Sequence, residues 1–180
     1  MMSTIQERVF PLLVILFVIS GCASMSPAEK RKQLDTMAGN TITRLLKQFP
    51  ELGTELEKVP GYFVAHINAP ATEGGEGVLV ANSTNEYIYY TVERVETDSS
   101  WGQRPFKILL LIKTQTVLDS FRADRPAPAT GKNATGNTAT PGSNKYAVYI
   151  MSDIGIAVTA SVRISGIRIN RELANTQSSL

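Results

Sequence analysis

The residues in this 180-residue chain whose side chains suit chemistry are few and poorly accompanied. His66, the only histidine, sits in the strand-like stretch YFVAHINA with neither an acid nor a cysteine beside it. A lone imidazole has no partner for proton transfer and no co-ligand for a metal, so it reads as structural. Glu73 and Glu76 flank a glycine turn, and Glu93 and Glu96 lie on a strand with a solvent-facing pattern. Neither pair has surroundings that would raise one carboxyl pKa above the other, as paired-carboxylate catalysis requires. Gly74-Gly75-Glu76-Gly77 has the glycines of a phosphate loop, but such a loop follows a strand and opens a helix. Here Val78-Leu79-Val80 continues as a strand, so the glycines are expected to form a hairpin turn. No Gly-x-Ser-x-Gly elbow and no His-Glu-x-x-His spacing occur. The expectation is a non-catalytic protein with no metal and no cofactor.

The remaining reactive group is the one thiol, Cys22. It follows an apolar run from Val9 to Ile19, which Arg8 precedes and Ser20-Gly21 closes. A bilayer-spanning helix needs about 20 apolar residues. A signal peptide needs only about 7–15, with a positive start and small residues at the cut. Ile19-Ser20-Gly21-Cys22 resembles the lipoprotein box of bacteria, in which the sulfur receives a diacylglycerol before cleavage. The competing reading is an ordinary secretory signal with an incidental cysteine. Under the first, residues 1–21 form a lipoprotein signal peptide and residues 22–26 a lipidated tether. Two or more acyl chains, palmitate among them, make such an anchor stable. Ala23 stands where an aspartate marks inner-membrane retention in many such proteins. The expected location is therefore the outer membrane, lipid-anchored on its periplasmic face.

With Cys22 modified, no thiol is left for a disulfide, and stability rests on an apolar core. The net charge of +2, spread along the chain, gives no reason to expect nucleic acid as a partner. From Pro27 to Phe49, Leu34, Met37, Ile42, Leu45, Leu46 and Phe49 recur at helical spacing. Ser26, Pro27 and Glu29 supply a capping box, and Gly39-Asn40 allows a break. PELGTELEKV predicts a second short helix. Strands are then expected at 62–69, 77–82, 86–97 and 105–114, the last buried on both faces. TVLDSFRA predicts a short helix, and strands return at 145–152 and 155–169, with a bend or bulge at Ser165-Gly166. Between them, residues 122–145 are rich in Pro, Gly, Ala, Thr and Asn and read as a flexible loop. The fold class expected is α+β: N-terminal amphipathic helices, then a mostly antiparallel, strongly curved or barrel-like sheet of six to seven strands. One domain spans 27–175, and 176–180 form a disordered tail.

Four segments in order resemble bacterial members of the SYLF family, a lipid-binding domain of envelope lipoproteins. They are Phe49-Pro50-Glu51 through LEKVPGYFVAHI, then GGEGVLVANSTNEYIYYTVE, FKILLLIKTQTVLDSF, and KYAVYIMSDIGIAVTASVRISGIRINREL. The resemblance covers residues 33–175. The chain departs from the family pattern in its short glycine-rich turn, in Ile167 and Ile169 at usually aromatic positions, and in the loop at 122–145. The resemblance implies a non-catalytic outer-membrane lipoprotein that associates with lipid or a membrane surface. Its partners would be membrane lipid through the anchor and a phospholipid or apolar ligand. The alternative is a scaffold for envelope proteins with no lipid ligand beyond its anchor.

Lys30-Arg31-Lys32, eight to ten residues beyond Cys22, is the candidate membrane contact. The same cluster also reads as a solvated helix end. Tyr87, Tyr89, Tyr90 and Trp101 form an aromatic patch that suits either an interface or an ordinary sheet.

Overall fold

A computed structural model of the chain describes residues 25–97, 100–126, 129–132, 145–153, 155–156 and 161–174. Among the described residues, four α-helices and eight strands follow one another: α1 (Pro27–Gln48), α2 (Leu52–Lys58), β1 (Gly61–Ile67), β2 (Gly75–Ala81), β3 (Glu86–Thr97), β4 (Phe106–Ile112), α3 (Gln115–Arg122), β5 (Ala129–Lys132), β6 (Tyr146–Ser152), β7 (Gly155–Ile156), β8 (Ser161–Ile169) and α4 (Arg171–Ala174). The strands form one sheet in the order β5-β8-β3-β2-β1-β4-β6-β7, every pair antiparallel. Six of them are long, and β5 and β7 are short additions at the edges. The sheet curls strongly into a half-barrel, giving the α+β class expected.

α1 starts where its sequence says it should. The Ser26 hydroxyl accepts from the Glu29 amide, and the Glu29 carboxylate accepts from the Ser26 amide at 2.9 Å. The helix runs unbroken through Gly39-Asn40, because Leu34, Ala38, Thr41 and Leu45 bury one continuous stripe. Packing of that stripe outweighs the roughly 1 kcal/mol that a helical glycine costs.

Alternation along each strand feeds two cores. On the inner face, Phe63, Leu79, Tyr90, Leu110, Val148 and Ile164 belong to one cluster with Val117, Leu118 and Phe121 of α3. On the outer face, Val64, Val78, Leu109 and Tyr149 pack under Leu34 and Leu45 of α1 and Leu52 of α2. β4 serves both cores, as its apolar run requires, with only Lys107 half-buried among its residues. The Phe121 ring lies 5.8 Å from the rings of both Phe63 and Tyr90, and the Tyr90 hydroxyl donates to the Phe121 carbonyl at 2.9 Å.

Several boundaries correct the sequence reading. The hairpin between β1 and β2 turns earlier than its glycines suggest, through a 3-10 turn at Ala71–Glu73, and only Gly74 lies in the connection. Gly74 has φ +69°; Gly77 lies within β2, where a Cβ would come within 2.6 Å of the Phe63 ring. These glycines make room for an aromatic ring and for neighbouring backbone. Residues 122–145 are not loop throughout. Arg122 ends α3, Asp124 accepts from the Ile169 amide at 2.7 Å, and Ala129–Lys132 adds a strand to β8. Residues 127–128 and 133–144 of that span lie outside the described residues, as do residues 176–180, expected as a tail, and residues 1–21, expected as a signal peptide.

Along β3, Val92 and Val95 both face the inner core, with Glu93 and Arg94 exposed between them. Opposite, Ile164 and Ile167 face inward, with Ser165 and Gly166 between them. The register is the same on either side, so this is a shared reversal of the pleat and not a bulge. Gly166 makes it with φ +66°, and a Cβ there would meet the Glu93 carboxylate at 2.2 Å. The bend expected at Ser165-Gly166 is thus present, and it carries Val95 to the inner side when strict alternation would expose it.

Candidate functional site

Cys22 lies outside the described residues; Met25, the first described, is exposed. The three basic residues that follow have different surroundings. Lys30 points down from α1 onto the sheet and pairs with Glu76 of β2 at 2.5 Å, both half-buried. Arg31 donates to the Leu173 carbonyl of α4 at 3.0 Å. Lys32 is exposed, without an ion-pair partner among the described residues. Only one of the three is therefore presented to the surroundings unpaired; the other two fasten the helix start to the sheet and to α4.

Further along α1 the fastening continues through carboxylates. The Tyr89 hydroxyl donates to both Asp35 oxygens at 3.1 and 3.2 Å, and that of Tyr149 donates to Glu55 of α2 at 3.2 Å. Burial of Asp35 raises its pKa above the ordinary aspartate value, against the pull of Tyr89 and Arg31. The aromatic patch read from the sequence thus divides. Tyr89 anchors a helix, Tyr90 fills the inner core, and Tyr87 is exposed on the outer side. The Trp101 side chain lies outside the described residues.

His66 sits on the outer face between Glu76 of β2 and Lys107 of β4, its cross-strand neighbours. Partial burial and the Lys107 charge lower its pKa, and Asp153 and Glu76 counteract them. The imidazole is one rung of a row in which Lys30, Glu76, His66, Lys107 and Asp153 cross the sheet beside α1. No group of three or more potential metal ligands occurs among the described residues.

The row ends in a groove of about 560 Å³ between α1 and the β4–β6 side of the sheet. Met37 and Met151 give it an apolar patch, and Arg44, Lys47 and Lys107 give it charge. Lys107 Nζ lies 3.5 Å and Arg44 Nη1 3.6 Å from the same oxygen of Asp153. The sequence reading missed this grouping, because Arg44, Lys107 and Asp153 are far apart in the chain. Only the helical spacing of Arg44 and Lys47 hinted at a common face.

The chain matches no family model, and no curated protein matches it.

The outer face carries the ion pairs and the tyrosine–carboxylate contacts to α1 and α2, whereas the inner face is an apolar core packed around α3. No helix among the described residues is long and apolar enough to cross a membrane.

Proposed function

We propose that the chain is a non-catalytic lipoprotein, anchored through Cys22 to the periplasmic face of the outer membrane, whose SYLF-like domain associates with the membrane surface. The observation that carries this reading is the position of α1. Its cap is Ser26, so only Ala23, Ser24 and Met25 separate Cys22 from an ordered helix end. A lipid on Cys22 would hold that end, with exposed Lys32, at the headgroups, where each basic residue contributes roughly 1 kcal/mol. The packing of α3 against the inner face favours contact at the surface over a lipid held inside the half-barrel.

That same packing also supports the second reading, an envelope scaffold with no lipid ligand beyond its anchor. Fractionation of cells expressing the full chain or Cys22→Ala tests the anchor. The parent should sediment with membranes and carry a diacylglycerol by mass spectrometry, and the variant should be released. Adding the released variant to anionic vesicles separates tethering from affinity. Salt-sensitive binding that weakens in Lys32→Gln supports membrane association by the domain, whereas no binding leaves the scaffold.

A further inference from the structure

We propose that the groove between α1 and the β4–β6 side of the sheet is a binding site for a phosphoryl group, and that Asp153 outside it pairs with two of its cations in the unliganded protein. The inference does not depend on an anchor at Cys22. Two cations from distant parts of the chain, Arg44 of α1 and Lys107 of β4, converge on one oxygen of Asp153. Both cations lie within ion-pair distance of that oxygen, so the point attracts an anionic oxygen from a guanidinium and an ammonium together. The Asp153 side chain is 85% exposed, so solvent competes for it and it is readily displaced. Lys107, on β4, is more enclosed, with 22% of its side chain exposed.

Charge counting favours a dianion. Arg44, Lys47 and Lys107 face the groove with Asp153 as their only ion-pair partner among the described residues. The negative end of α1 lies nearby, and Lys47 in its last turn offsets it. The groove is larger than a phosphate, and Met37 and Met151 offer an apolar surface to whatever carries it. The ligand class is therefore a phosphate monoester or a lipid headgroup phosphate, bound through its oxygens at Arg44 and Lys107.

The test uses the full chain in neutral detergent micelles, titrated calorimetrically with inorganic phosphate and with glycerol phosphate against chloride at equal ionic strength. A parallel arm uses vesicles of phosphatidylglycerol against phosphatidylcholine. Saturable binding in either arm is expected, about tenfold weaker in Arg44→Gln and in Lys107→Gln. Asp153→Asn lies on an exposed turn and removes the internal competitor, so it should tighten binding up to about fivefold. Binding to soluble phosphates identifies a free ligand; binding to phosphatidylglycerol alone, with the same variant pattern, identifies a headgroup. Absence of saturable binding in both arms overturns the proposal. So does binding indifferent to Arg44 and Lys107, or binding that weakens in Asp153→Asn.

Discussion

His66 takes its surroundings from the two strands that flank it. Its ring is half-buried beside Lys107, and both burial and that charge favour the neutral form. A pKa lowered from 6.5 has a definite sign in folding. As pH falls through 6.5 the unfolded chain takes up the proton first, so the stability that neutral His66 provides is present above that value. It is lost as pH falls through the lower, folded-state pKa. Thermal unfolding followed by circular dichroism should therefore show the parent losing stability between neutral and mildly acidic pH faster than His66→Gln does. Parallel curves for the two proteins would refute that assignment. In the sequence His66 has neither an acid nor a cysteine beside it. The sequence did not show the neighbours the imidazole has, because Glu76 and Lys107 reach it only through strand pairing.

At the scale of elements, local signals were readable and tertiary ones were not. The capping box, the short helix α3 with its apolar side, and the doubly buried β4 all follow from adjacent residues. Ser26→Ala removes the hydroxyl that accepts from Glu29 and should cost about 0.5–2 kcal/mol, measured by chemical denaturation. Threonine at the same position should restore most of it. The glycines at 74–77 were misplaced because the same residue type serves two needs. Gly74 supplies a positive φ, whereas Gly77 supplies space for Phe63 from the neighbouring strand. A sequence states the first need through its local pattern, but the second exists only once β1 and β2 are in register. β5 was missed for a related reason. Its four residues, Ala-Thr-Gly-Lys, have no strand pattern of their own and are ordered by the exposed edge of β8.

The whole molecule is a sheet with an apolar core on each face, and its tyrosines record that arrangement. Burial raises Tyr146 to about 12, and burial together with Asp35 raises Tyr89 to about 12. Tyr90 and Tyr149 are shifted upward as well, first by burial. For a folded pKa above the ordinary 10.0, the stabilising contribution is complete below pH 10 and lost as pH rises toward 12. Phenolate absorbance from these buried rings should therefore rise late in an alkaline titration, together with loss of the folded circular dichroism signal. A single early rise would mean that these rings are accessible without unfolding. The curled antiparallel sheet was legible from the order of strand-like segments, whereas the groove was not, since it depends on α1 crossing beside β4 and β6. The pairing of Lys30 and Arg31 has a mechanical corollary. A pull entering at the N-terminus reaches Lys30 and Arg31 within the first two turns of α1, where Glu76 and the Leu173 carbonyl hold them from two different elements. The load is shared between sheet and C-terminal helix before it reaches the apolar stripe, so the start of α1 behaves as a strain relief that keeps the helix from being peeled away end first.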